Sequence, residues 1–197
     1  MAIYDFDGTA SRELGKLYDN DGTTSRKIGK VFDSDGAANK VIYKDELLLY
    51  DNGNQCISAT GGWHAHWTYG YYSGGIATDR IDFGATCGEN NSVGGGIQLG
   101  TVNTIDLTPL KILRFDVVNS SSMYNAEACV GFDNTKAMGD RYYGAHLNGT
   151  HVYTGTYDVN VENTSGNYYV AVNAYCSYVD WLKYGTWYIT RVIGIYK

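Results

Sequence analysis

The sequence has one proline, Pro109, against 25 glycines, and only 18% of its residues are charged. No apolar run is long enough to span a bilayer, and Met1-Ala2-Ile3-Tyr4-Asp5 lacks both the basic and the apolar region of a secretory signal. The expectation is a chain synthesised in the cytoplasm, without membrane insertion. Cys56, Cys87, Cys129 and Cys176 are widely spaced and form no Cys-x-x-Cys pair; they read as thiols rather than as a disulfide framework. Also missing are a Gly-x-Ser-x-Gly elbow, a glycine-rich phosphate loop and a His-Glu-x-x-His pair, and the acidic residues are scattered. No catalytic residue, cofactor or metal is therefore expected, although two carboxylates distant in sequence could still meet in space as a glycosidase pair.

What is present is tyrosine, 19 residues of it, within a hydrophobic content of 44%. Together with the glycines this describes a folded, turn-rich β protein. The first 44 residues write one phrase three times, at Ile3-Tyr4-Asp5-Phe6-Asp7-Gly8, Leu17-Tyr18-Asp19-Asn20-Asp21-Gly22 and Val31-Phe32-Asp33-Ser34-Asp35-Gly36, every 14 residues. Each unit joins a short apolar run to an Asp-x-Asp-Gly turn, where Asp side chains bond their own backbone and Gly accepts positive φ. The reading is strand, turn, strand. The middle unit has only Leu17, Tyr18 and Ile28 as sizeable apolar residues, too few to offset roughly 1–2 kcal/mol of ordering entropy per residue. The missing core is expected from other copies of the chain, the alternative being a loosely ordered linker. Calcium is not expected in the turns: counted from Asp19, the sixth position is Thr24 and the twelfth Lys30, not the Gly and Glu of an EF-hand.

These tandem Tyr-Asp-x-Asp-Gly-Thr…Ile-Gly-Lys-Val units resemble the N-terminal segments of tail-tip, tail-fibre and receptor-binding proteins from phages and prophages of Gram-positive bacteria. The resemblance covers residues 3–44 and extends loosely to Leu49-Tyr50-Asp51-Asn52-Gly53-Asn54-Gln55-Cys56 and Gly61-Gly62-Trp63. It implies a virion protein that attaches rather than catalyses, a shaft contacting other tail proteins, and a homotrimer, since threefold closure is common in narrow β fibres. The partner it implies is a bacterial surface polysaccharide. A carbohydrate-binding module of a bacterial glycosidase and a purely structural tail component are the alternatives.

Three regions are expected: a β shaft over 1–44, a junction over 45–54 and a β-sandwich head over 55–197. Residues 1–44 hold seven basic and seven acidic side chains, so the whole net charge of −6 falls on residues 45–197. An acidic body argues against nucleic acid as a partner. In the head, short runs of Val, Ile, Tyr and Phe separated by Gly, Asn, Ser and Asp predict strands at Ile81–Phe83, Gly96–Leu99, Ile112–Val118, Ala128–Phe132, Val152–Val161, Tyr168–Tyr175 and Trp187–Tyr196. That spacing predicts an antiparallel two-sheet sandwich. The turn at Pro109 before a strand, and one long final strand, resemble jelly-roll heads.

Two stretches are candidate ligand sites. In the first, uninterrupted alternation places Trp63, Ala65, Trp67, Tyr69 and Tyr71 on one face and His64, His66, Thr68 and Tyr72 on the other. An aromatic face stacks on the apolar face of a sugar, with hydroxyl and indole N–H groups free to bond its hydroxyls; the same stripe would equally serve as core. His64 and His66 could hold two corners of a metal site but have no third ligand nearby. The second stretch is Gly139–Gly149, where Gly and Asn would present Tyr142, Tyr143 and His146 on a loop, unless it is a plain solvent-facing hairpin.

Overall fold

The computed structural model describes the backbone of residues 4–6, 11–13, 17–20, 25–28, 30–34, 39–87, 94–120, 126–134, 147–176 and 183–197, and side chains from residue 45 onward within these ranges except at 87 and 183. The chain divides into two compact units, one of residues 1–47 and one that runs essentially from 48 to 195.

In the first unit each 14-residue repeat is one antiparallel hairpin. The strands are β1 (Tyr4–Phe6) with β2 (Ser11–Glu13), β3 (Leu17–Asn20) with β4 (Ser25–Ile28), and β5 (Lys30–Ser34) with β6 (Asn39–Lys44). Each pair is a separate two-stranded ladder. The register explains the first aspartate of each phrase. It lies on a strand and opposes a cation in all three hairpins: Asp5 faces Arg12, Asp19 faces Arg26 and Asp33 faces Lys40. Opposite charges at directly opposed positions of a ladder contribute roughly 0.2–1 kcal/mol per pair.

The second unit is a jelly-roll-like β-sandwich. Its strands are β7 (Glu46–Asp51), β8 (Trp63–Tyr69), β9 (Tyr72–Ile76), β10 (Ile81–Cys87), β11 (Gly95–Thr101), β12 (Ile105–Asp106), β13 (Leu110–Asn119), β14 (Glu127–Asp133), β15 (Asn148–His151), β16 (Gly155–Asn160), β17 (Asn167–Cys176) and β18 (Lys183–Tyr196). One sheet runs β16-β13-β18-β10-β9, with β7 also on β18, and the other runs β15-β14-β17-β11-β8, with β12 also on β17. One helical turn, α1 (Ile57–Thr60), precedes β8 and ends at Gly61, whose N–H donates to the Ile57 carbonyl at 2.8 Å.

Alternation along the strands makes the core. From the first sheet Ile81, Phe83, Leu113, Phe115, Trp187 and Ile189 are fully buried, and from the second Ile97, Leu99, Val130, Val170 and Val172. Phe83 and Trp187 are register partners whose rings stack at 6.1 Å. The stretch expected as one strand over Val152–Val161 is broken: β15 ends at His151, β16 starts at Gly155, and the Tyr153 N–H between them donates to the Tyr157 hydroxyl at 2.8 Å. The Asn52-Gly53 turn after β7 has positive φ at both residues, 42° and 91°, as the tight hairpin turn of this dipeptide requires. Among the cysteines, Cys56 and Cys129 are free thiols. Cys176 is disulfide-bonded, which corrects the reading of four thiols: sequence spacing alone carries no information on which strand ends meet.

Candidate functional site on the outer face of one sheet

Strand β8 carries one extra residue, and the site follows from it. Against β11, Gln98 pairs with Trp67 but the next residue, Leu99, pairs with Ala65, so His66 is a β-bulge. An inserted residue reverses the alternation beyond it. Trp63 therefore points between the sheets, while Trp67 and Tyr69 point away from the core. This corrects the single aromatic face expected for residues 63–71. Trp63 is 4% exposed, its Nε1 donates to the Leu49 carbonyl at 3.0 Å, and its ring meets Tyr50 edge-on. It is a core residue, not part of a platform.

On the outer face the Trp67 and Tyr69 rings stack at 5.9 Å with 22° between their planes, and both are half-buried. Beneath them β11 offers almost no side chains: Gly96, Gln98 and Gly100 share this face. A Cβ at Gly96 would lie 2.9 Å from the Trp67 ring, and one at Gly100 would lie 2.5 Å from the His66 ring, so two rings rest directly on glycine backbone. His66 also meets His64 at 4.8 Å and Tyr169 at 5.3 Å, both edge-on, and one of its ring nitrogens is 2.9 Å from the Thr101 carbonyl.

The neighbouring strand β17 completes the patch. Asn173 stands opposite Gln98, and Tyr175 stands opposite Gly96, which is itself opposite Tyr69. Burial, with smaller contributions from Tyr69 and Glu127, pushes the Tyr175 hydroxyl above its ordinary pKa, so it remains a neutral donor and acceptor. Gln98 and Asn173 are 2% and 1% exposed. Among the described residues, Gln98 Nε2 and both polar atoms of the Asn173 amide have no hydrogen-bond partner. Farther along the face, Cys129, Leu147 and Ala171 form a small apolar cluster, and burial, followed by Glu127, pushes the Cys129 thiol up to about 12.

The expected ligand-binding residues thus divide. His64, His66, Trp67 and Tyr69 come together on the outer face of the second sheet. Tyr71 and Tyr72, 54% and 47% exposed, lie beyond it at the turn into β9. Tyr142, Tyr143 and His146 lie outside the described residues. Gln98, Asn173 and Tyr175 were not singled out from the sequence, although Gly96-Ile97-Gln98-Leu99-Gly100 carries a signal in its alternation: glycine on both sides of a polar residue, all on one face, leaves a bare strip on which rings can lie. Among the described residues, no three His, Cys, Asp or Glu side chains cluster as metal ligands.

No family model and no curated protein matches this sequence. Among solved structures the chain is similar to CBM86, a low-affinity xylan-binding module from the gut symbiont Roseburia intestinalis, at 13% identity and a TM-score of 0.42, over 70% of this chain and 92% of that one.

Proposed function

We propose that this chain is a non-catalytic carbohydrate-binding protein whose sandwich takes a polysaccharide on the outer face of the β15-β14-β17-β11-β8 sheet. The observation that carries the reading is the stacked pair Trp67 and Tyr69, turned out of the core by the β8 bulge and set beside buried amides. Stacked aromatic rings accept the apolar face of a pyranose, and amides and hydroxyls beside them bond its equatorial groups. One sugar on such a patch gives modest affinity, about millimolar or roughly −4 kcal/mol.

The setting that fits is a binding module, presented by a repeat segment, that holds a larger protein on its glycan. The repeats favour a second setting, a phage or prophage tail head. Three two-stranded hairpins with few sizeable apolar residues in their sequence would gain a core from other copies of the chain, and several heads on one shaft would raise avidity by about 10² to 10⁴. Two measurements on the full chain test the proposal. Affinity electrophoresis through soluble polysaccharides should retard the wild type and not Trp67→Ala. Sedimentation should give a trimer for the tail setting and a monomer for the module setting. A wild type that runs unretarded in every polysaccharide, and leaves bacterial cells unlabelled, removes the binding proposal.

A further inference from the structure

Resting on that reading, we infer that Gln98 and Asn173 form the polar floor of a subsite for an uncharged sugar, whose hydroxyl groups supply the hydrogen bonds that the two amides lack. The residues stand opposite each other in the β11–β17 register, yet neither amide bonds the other. Leaving a buried donor or acceptor unpaired costs about 1–3 kcal/mol each, and such groups in a folded protein call for a reason. Trp187 Nε1 is likewise unpartnered among the described residues, but it belongs to the core beside Phe83. The two amides instead lie on the outer face, between the ring resting on Gly96 and the ring resting on Gly100. Trp67 and His66, which own those rings, are half-buried and belong to an edge strand; with the amides 2% and 1% exposed, a sugar reaches them only when side chains on this face turn aside.

The class of ligand follows from the charges on the same face. Among the described residues, those directed outward from this sheet include Asp106, Glu127 and Asp133 and no lysine or arginine. A uronate or a phosphate-bearing glycan would meet these carboxylates and, among the described residues, no lysine or arginine, with His151 3.9 Å from Glu127, whereas a neutral sugar offers donors to Asn173 Oδ1 and acceptors to the two amide nitrogens.

The test uses near-isosteric apolar variants, Asn173→Leu and Gln98→Met, in the full chain, with Trp67→Ala for comparison. Probes are mixed-linkage β-glucan, galactomannan and arabinoxylan as neutral polymers, with polygalacturonate and alginate as anionic ones. Affinity electrophoresis reads binding and thermal unfolding reads stability. The expected result is a loss of tenfold or more in affinity for a neutral polymer in both amide variants, with Tm unchanged or raised, because an unpaired polar group has been replaced by an apolar one. A fall in Tm of several degrees would overturn the inference by making the amides part of the fold's own bonding. Amide variants that bind as the wild type does, while Trp67→Ala does not, would overturn the subsite and leave the aromatic surface standing. Retardation by the anionic polymers alone would overturn the ligand class; a wild type that binds none of the five would overturn the subsite for a neutral polymer, and one that also leaves bacterial cells unlabelled would remove the surface reading itself.

Discussion

Trp63 and Trp67 are four residues apart on one strand, and the bulge between them predicts losses of very different size from the same truncation. Trp63→Ala empties a site that is 4% exposed, removes the edge-on contact with Tyr50 and leaves the Leu49 carbonyl without its indole donor. Core Trp→Ala substitutions cost about 3–5 kcal/mol. In a domain of this size each kcal/mol lowers Tm by about 2–4 °C, so the fall should be about 6–20 °C. Trp67→Ala removes a half-buried ring from an edge strand and one stacking contact with Tyr69. Cross-strand and same-face pairs of this kind contribute about 1 kcal/mol or less, hence about 2–4 °C. Differential scanning calorimetry of the two variants, read alongside polysaccharide binding, checks both halves. Equal losses of stability would mean that Trp67 is as much a core residue as Trp63, and the platform would have to be abandoned.

Gly53→Ala should destabilise by more than the ~1 kcal/mol typical of a lost glycine, because φ is +91° and the new Cβ would sit 1.9 Å from the Thr78 carbonyl oxygen; a urea midpoint within error of the wild type would contradict the turn geometry. Asp158 accepts two hydrogen bonds from Arg114 at 2.7 Å, which hold its carboxyl below the ordinary value. A group depressed in the folded state contributes fully above its unfolded pKa of about 3.9 and loses the contribution as pH falls through the folded value. Asp158→Asn should therefore lower the urea midpoint at pH 7, by less than about 1 kcal/mol for so exposed a pair, and have progressively less effect below about pH 4; an undiminished difference in strong acid would exclude the ion pair as its cause. With maleimide at pH 8, native protein should label at Cys56 and stay unlabelled at Cys129, whose buried thiol is pushed up to about 12, as peptide mass spectrometry would reveal. Removing residues 1–44 should leave one cooperative transition near the full-length Tm, since the unit beginning at residue 48 holds its own core; insoluble product would make the repeats part of the fold.

The fold class was legible because both of its signals are local. Asp-x-Asp-Gly at a fixed period announces hairpins, and alternation such as Leu113, Phe115 and Val117 against Arg114 and Asp116 announces a half-buried strand. The site was legible only in part. Alternation read through residues 63–71 assigns every side chain a face, but one bulge reverses the assignment after it. The bulge is a property of pairing with β11 that β8 does not encode on its own. Gln98 and Asn173 are 75 positions apart in sequence and meet only through the β11–β17 register. A polar residue within an apolar run reads as an ordinary solvent-facing position until the opposite strand is known. The disulfide at Cys176 was hidden for the same reason.

The register sets an aspartate opposite a cation within each of the three hairpins, and among the described residues no ladder joins one hairpin to another. Length is thereby freed from structure. A duplication or loss of 14 residues adds or removes one two-stranded ladder and leaves every other described backbone ladder as it was. The number of hairpins can then change by whole units under selection while the ladders of the sandwich stay as they are.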